Sequence, residues 1–237
     1  MLAFYALALI VVFLGMILNL PGSLHINPIL LHFYEPHLVV FLTMVFLVLG
    51  AISRIIILWE HVLWKEAVHL AVWGFFGGIL GGYFVGIIPQ KIIVLVFFIS
   101  GLSYIYRFYK RHKGEEIKKH GAFLSGFVTA FLQSFGISVG VLRQGYLFSR
   151  GHDLVTVQAT AAVVFITGGI ATIVTRMFHE QFFVKDTISI LGLFPLMLLT
   201  VYLAKKTVYK MPKKIQDGII IYSLVLSLLF AVPYLFK

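Results

Sequence analysis

The chain contains no cysteine, which excludes disulfides and thiolate metal sites. Charge is scarce as well. Only 12% of the residues are Asp, Glu, Lys or Arg, against about 25% in an ordinary soluble domain. The nine acidic residues, from Glu35 to Asp217, all fall in predicted loops or at predicted helix ends. The apolar middles of the segments therefore hold no carboxylate. Proton and cation transporters usually place such groups within the membrane, so their absence argues against a cation pump. Phosphate-loop and hydrolase signatures are missing too: there is no GxxxxGKS or GxxxxGKT, no HExxH and no GxSxG. Residues 1–20 lack a basic leader and a small-residue cleavage site, so they are not read as a signal peptide.

What is present is apolar. Hydrophobic residues make up 60% of the 237, and the mean hydropathy is +1.00. A membrane-spanning helix needs roughly 20 apolar residues, which leaves room for about eight such segments. The composition predicts an all-α polytopic membrane protein. The net charge of +10 would suggest a nucleic-acid partner in a soluble chain. Here the charges sit in short loops between spans, where they set orientation, and no nucleic acid is expected.

One stretch, 121–151, is apolar enough to enter a bilayer yet interrupted by Gln133, Ser134, Gly136, Ser138, Gly140, Arg143 and Gln144. Backbone groups in hydrocarbon must be bonded within their own segment, so irregular backbone survives there only under protein or beside a wet cavity. Two readings follow. The stretch is a plain helix with small residues at a packing face, or it is a discontinuous element whose break lines a substrate site. The N-terminus has the same design. Residues 1–20 are apolar, Asn19, Pro21, Gly22 and Ser23 break the run, and a short arm follows at 26–34.

After the first broken segment come predicted spans at 38–59, 67–88 and 91–109. The charged stretch 110–120, KRHKGEEIKKH, divides the chain. After the second broken segment come 154–178, 187–204 and 215–236. This predicts an N-terminal membrane repeat at 1–109, a charged cytoplasmic loop at 110–120 and a C-terminal repeat at 121–237. Local matches recur in order: Arg54 and Arg176 end corresponding helices, Trp64-Lys65-Glu66 and Val184-Lys185-Asp186 open the next, and Pro89 and Pro212 lead the last. If each broken segment is a hairpin returning to its starting side, the basic loops 107–119 and 205–214 share a face with Arg54, Lys65 and Arg150. The opposite face keeps only Lys91, Arg176, Lys185 and Lys237. The positive-inside rule then favours hairpins, with those loops cytoplasmic and both termini outside. Each half makes three net crossings, so the two halves are inverted relative to one another.

Helix 67–88 carries Gly74, Gly78, Gly82 and Gly86, with Gly77 and Gly81 on an adjoining face. Spacing of four predicts close helix packing. Trp59 and Trp64 are candidate interfacial anchors.

Deep in the predicted spans lie neutral hydrogen-bonding groups, glycines and one arginine, a set that suits an anion. Helix starts near Ser23 and Ser138 would offer unpaired N–H groups and a positive dipole end. Arg143 either adds a forked donor for an oxyanion or snorkels to the cytoplasmic interface. Asn19, His25, Asn27, Gln133, Ser134, Gln158 and Thr160 complete the candidate substrate-binding set, each also readable as a helix–helix contact. A metal or cation site at His25, His32, His37 and Glu35 is the alternative, although its spacing matches no common ligand motif.

The order of a broken first segment, a helix ending in Arg, a glycine-rich helix and a proline-led helix, given twice, resembles the TauE/SafE sulfite exporter family, also called the toluene-sulfonate uptake permeases. The likeness is closest in WKEAVHLAVWGFFGGILGGYFVGIIPQK, in SGFVTAFLQSFGISVG and in HDLVTVQATA. Pro28 matches the proline of the family's first broken segment, whereas Arg143 stands where the second proline would fall. The resemblance implies a secondary transporter, not an enzyme, that moves sulfite or a small organosulfur anion across a prokaryotic cytoplasmic membrane by alternating access. It implies no cofactor, with a proton or sodium ion as candidate coupling partner. A membrane-embedded enzyme or scaffold is the remaining rival, and it would show no flux.

Overall fold

The computed structural model describes residues 27, 30, 31, 34–89, 91–93, 95, 99, 102, 106, 121–136, 143, 146, 147, 150–179, 191, 192, 194–208, 212 and 225. The described residues are helical with short connections. Five helices organise them: α1 (Pro36–Leu58), α2 (Trp64–Ile87), α3 (Thr129–Ser134), α4 (Leu154–His179) and α5 (Phe194–Val208). A 3-10 turn, Trp59–His61, joins α1 to α2, and a π-helical turn, Leu124–Val128, leads into α3. Among the described residues, three helices are long and apolar enough to cross a membrane: Pro36–His61, Trp64–Ile87 and Val155–Phe178.

Each helix end has a local cause. Pro36 occupies the first turn of α1, where its missing N–H costs nothing and its fixed φ suits the helix. Ile88 is extended before Pro89, as the residue preceding a proline should be, and Ile92 N–H then donates to Pro89 O at 2.9 Å to begin the next turn. Asp153 caps α4. Its Oδ1 accepts from the Val155 and Thr156 amides at 2.8 and 3.0 Å, and its Oδ2 accepts from the Thr156 hydroxyl at 2.7 Å. Those bonds, led by the Thr156 amide, hold the Asp153 carboxyl below the usual carboxylate range.

Two helices outrun their predicted apolar spans. α2 begins at Trp64, at the opening Trp64-Lys65-Glu66 and three residues ahead of the apolar span at 67, because Leu63 has left the helical region and Ala67 N–H already bonds Leu63 O at 2.8 Å. α5 runs to Val208 rather than ending at 204. Lys205 and Lys206 lie in its last turn, where cations suit the negative end of the helix dipole, so the lysines continue the helix instead of stopping it. The predicted spans at 91–109 and 215–236 and the first broken segment fall largely outside the described residues.

The helices pack through glycines. On α2, a Cβ at Gly74 would touch Val164 and Thr167, one at Gly78 would strike the Gly168 backbone, and one at Gly82 would meet Thr172 and Thr175. Contacts that advance together along both helices make α2 and α4 parallel. The adjoining face, Gly77 and Gly81, sits against Phe127, Phe131 and Ser134, so the arm 122–134 also runs parallel to α2. α1 runs the other way along α4: Gly169 lies against Val48 and Met44, while Leu58 and Val62 cluster with Ala159. Removing side chains from both faces of α2 lets three backbones approach closely, the usual route to tight helix association in lipid. The outer face of α2 carries exposed Val68, Val72, Phe75, Phe76, Tyr83 and Phe84, as expected of a lipid-facing surface. Trp59 and Trp64 are exposed at the α1–α2 elbow with ring centroids 4.4 Å apart.

Candidate functional site

The arm that leads to the site is irregular from its start. In the π turn, carbonyls lose their ordinary helical partners. The Thr129 hydroxyl takes up two of them, donating to Ser125 O and to Gly126 O, the latter at 3.0 Å. The helix then stops at Ser134. Phe135 and Gly136 N–H groups bond Leu132 O and Gln133 O at 3.1 and 2.8 Å, and Gly136 has φ 74°. That left-handed conformation is easy for glycine and strained for other residues. The break therefore falls at Phe135–Gly136.

Beyond the break, Tyr146 and Leu147 lie beside the start of the arm. Ala122, at the entrance of the arm, packs on a buried cluster of Leu70, Tyr146, Leu147, Val157, Ala161 and Val164. Ser134 instead lies against Gly81, about 16 Å farther along α2 at about 1.5 Å per residue. Leu147 is thus back at the level of Ala122. The return is fastened there: the Tyr146 hydroxyl donates to Glu66 Oε2 at 3.2 Å, and Arg150 forms an ion pair with Glu66. The bundle end that holds this group also holds Lys205, whose ammonium donates to Ile57 O at 3.4 Å.

Between the two levels lies Arg143. It is only 5% exposed, and its guanidinium carbon stands 5.5 Å from the centroid of the Phe165 ring, a cation–π contact. Phe165 is near the middle of α4, about 17 Å from its first residue. Arg143 Nε and Nη1 have no hydrogen-bond partner among the described residues. Of the two sequence readings of this arginine, snorkelling to the interface does not describe it, because protein covers it at mid-helix depth.

Three further elements close on the same place. Gln133 Nε2 lies 3.7 Å from Met44 Sδ. A Cβ on Gly169 would meet Met44 Sδ at 3.6 Å and Phe165 Cε1 at 3.7 Å. Met44 of α1, Gln133 of the arm, Arg143 of the return, and Phe165 and Gly169 of α4 therefore surround one spot beside the break.

The other expected residues divide. Asn19, Ser23, His25 and Ser138 lie outside the described residues, as do the first break at 21–23 and most of the second at 135–140. Asn27 is fully buried, and neither its side-chain oxygen nor its nitrogen has a partner among the described residues. Gln158 is buried on the face of α4 that carries Phe165, about 10 Å nearer the helix start. Ser134 and Thr160 hold helices together. Ser134 Oγ shares a 2.7 Å hydrogen bond with Thr172 Oγ1 and lies 3.0 Å from Ala130 O. Thr160 Oγ1 accepts the Leu63 N–H at 3.1 Å, capping the start of α2 from across the bundle. For the alternative metal site, His25 and His32 are outside the described residues, and no three His, Asp or Glu side chains converge among those described.

Sequence reasoning passed over several participants. Thr172, Met44 and Phe165 read as ordinary span residues, and only their contacts across the bundle single them out. Arg176 was expected among the charges of the outer face. It is buried to 1% exposure, in the last turn of α4 before His179.

Comparison with curated proteins and with solved structures finds no match. The family model described as Sulfite exporter TauE/SafE matches residues 4–231, nearly the whole chain. Family membership and the three long apolar helices make this an integral membrane protein, and the chain belongs to the TauE/SafE sulfite exporter family.

Proposed function

We propose that the protein is a secondary transporter for a small anion, sulfite or another sulfur-containing oxyanion or organosulfonate, and that Arg143 binds it beside the break at Gly136. The carrying observation is the protein-covered guanidinium at mid-helix depth with Nε and Nη1 unmatched among the described residues. A buried charge without a partner is costly, and an anionic guest removes that cost while being held by a forked donor. Gln133 adds a neutral amide, and Met44 and Phe165 supply a dry wall.

In this reading 121–151 is a re-entrant hairpin, and the shared level of Ala122 and Leu147 supports it. A matching hairpin at the N-terminus, with Asn19, Ser23, His25 and Asn27 near its tip, would complete the site. The halves 1–109 and 121–237 are then inverted, with basic loops 107–119 and 205–214 in the cytoplasm of a prokaryotic cell. Transport proceeds by alternating access, driven by a proton or sodium gradient or by the anion's own. Gln158, on the α4 face that carries Phe165, serves the path of the anion, and Ser138 is the second hydroxyl proposed for it.

The test is sulfite and thiosulfate flux into proteoliposomes. Arg143→Gln is expected to lower it about ten- to a hundredfold, the worth of one lost charge-assisted contact. Arg143→Lys keeps the charge and is expected to lose less. Unchanged flux in Arg143→Gln refutes the site, and absence of flux for every sulfur anion in a folded wild-type protein refutes the function.

A further inference from the structure

We infer that Phe165 is the positioning residue of the anion site: its ring holds the Arg143 guanidinium in place and leaves the hydrogen-bond donors of that group to the guest. This rests on the anion reading above. The Arg143 guanidinium carbon stands 5.5 Å from the Phe165 ring centroid, within the roughly 6 Å over which a ring attracts a cation. Arg143 Nε and Nη1 are buried with no hydrogen-bond partner among the described residues. Among those residues the ring is therefore what engages the charge. A forked donor on a long side chain needs such a hold, because rotamer freedom lost only on binding weakens the contact with the guest.

The ring itself is well anchored. One residue before it, Val164 is fully buried and lies against Gly74, and three residues after it the Gly168 backbone meets Gly78. Phe165 thus belongs to the stretch of α4 that is packed directly on α2. One turn farther, Gly169 lies against Met44 and Phe165 Cε1. Arg143 comes from beyond the left-handed Gly136, and the ring ties it to this fixed part of the bundle. A carboxylate in the same place would hold the guanidinium more tightly, but it would fill the fork and compete with the guest. A ring attracts the charge and takes up no strong donor. The ring sets the direction of the fork, and an oxyanion can still occupy its N–H edge.

The test is the dependence of flux on sulfite concentration for the full-length protein in proteoliposomes. Phe165→Leu stays apolar but loses the ring, and is expected to raise KM about tenfold with the maximal rate largely kept. Phenylalanines of increasing ring fluorination at this position keep the shape and drain the negative face, and KM is expected to climb with each fluorine. In an Arg143→Gln background neither change is expected to move KM further. A KM indifferent to fluorination overturns the inference, since a packing role follows shape alone, and it does so even if Phe165→Leu fails to fold. An effect of equal size with and without Arg143 also overturns it. Either result leaves the anion reading standing, whereas unchanged flux in Arg143→Gln removes that reading and this inference together.

Discussion

Replacing Gly78 by alanine tests whether backbone contact holds this bundle together. By helix propensity alone the change should help by up to about 1 kcal/mol, because glycine is the weaker helix former. The structure sets a larger cost against that gain. A Cβ at Gly78 would strike Gly168 O and lie 3.0 Å from both Gly168 C and Cα. Those are backbone atoms of α4, which no side-chain rotation can move aside. Overpacking of this kind costs about 1–3 kcal/mol, so Gly78→Ala should lose about 1–2 kcal/mol net. In a domain of this size that is a fall in Tm of roughly 2–8 °C. The positions form an internal scale. Gly81→Ala should behave like Gly78→Ala, since its Cβ would lie 2.6 Å from Phe131 O. Gly82, whose nearest contact is Thr172 O at 3.0 Å, should cost less, and Gly74, at 3.4 Å from the Val164 side chain, little. Among the described residues, Gly50 has nothing within 4 Å of its Cβ position, so Gly50→Ala should stabilise by about 0.5–1 kcal/mol. Thermal unfolding in detergent, checked by denaturant titration, reads the order. A Gly78→Ala protein as stable as Gly50→Ala would refute the packing account.

Two further substitutions probe polar groups at the ends of the bundle. Thr160→Val keeps the shape but removes the acceptor of the Leu63 N–H, and should cost about 1–2 kcal/mol in the same unfolding assay; no loss would mean that the amide finds another partner. Asp153 has a folded pKa below its unfolded one, so its contribution is complete above the ordinary aspartate range, near 4, and is lost as pH falls through the depressed value. Asp153→Ala should therefore destabilise by about 1 kcal/mol at neutral pH, with the gap to wild type closing in acid. A gap that stays constant down to pH 2 would show that the cap does not depend on the carboxylate.

How far the structure can be read from the residues depends on the kind of information each carries. Gly74, Gly78 and Gly82 announce a close contact because spacing of four puts them on one face, yet nothing in that spacing says that α4 is the partner. Gly136, in a run of small and polar residues, marks a break because its neighbours cannot satisfy themselves in hydrocarbon. Arg143 stands out as a charge in an apolar stretch, but whether it reaches water or protein depends on where the return of the chain lies. The pairing of Ser134 with Thr172 is long-range and has no local signature. Arg176 is silent for a related reason: a charge near the end of a span counts as an interfacial one from sequence, and only the packing around the last turn of α4 shows it buried. The lysines ending α5 do mislead, since hydropathy marks them as a boundary while the helix dipole welcomes them.

The seam formed by α2, the arm 122–134 and α4 has a mechanical consequence. Where backbone meets backbone there are no side chains to exchange one packing for another, so these three rods resist sliding and twisting past one another. In a body that rocks, the stiffest line is the one that moves least. The pivot of any swing in this molecule therefore belongs along the glycine seam, and displacement must grow with distance from it.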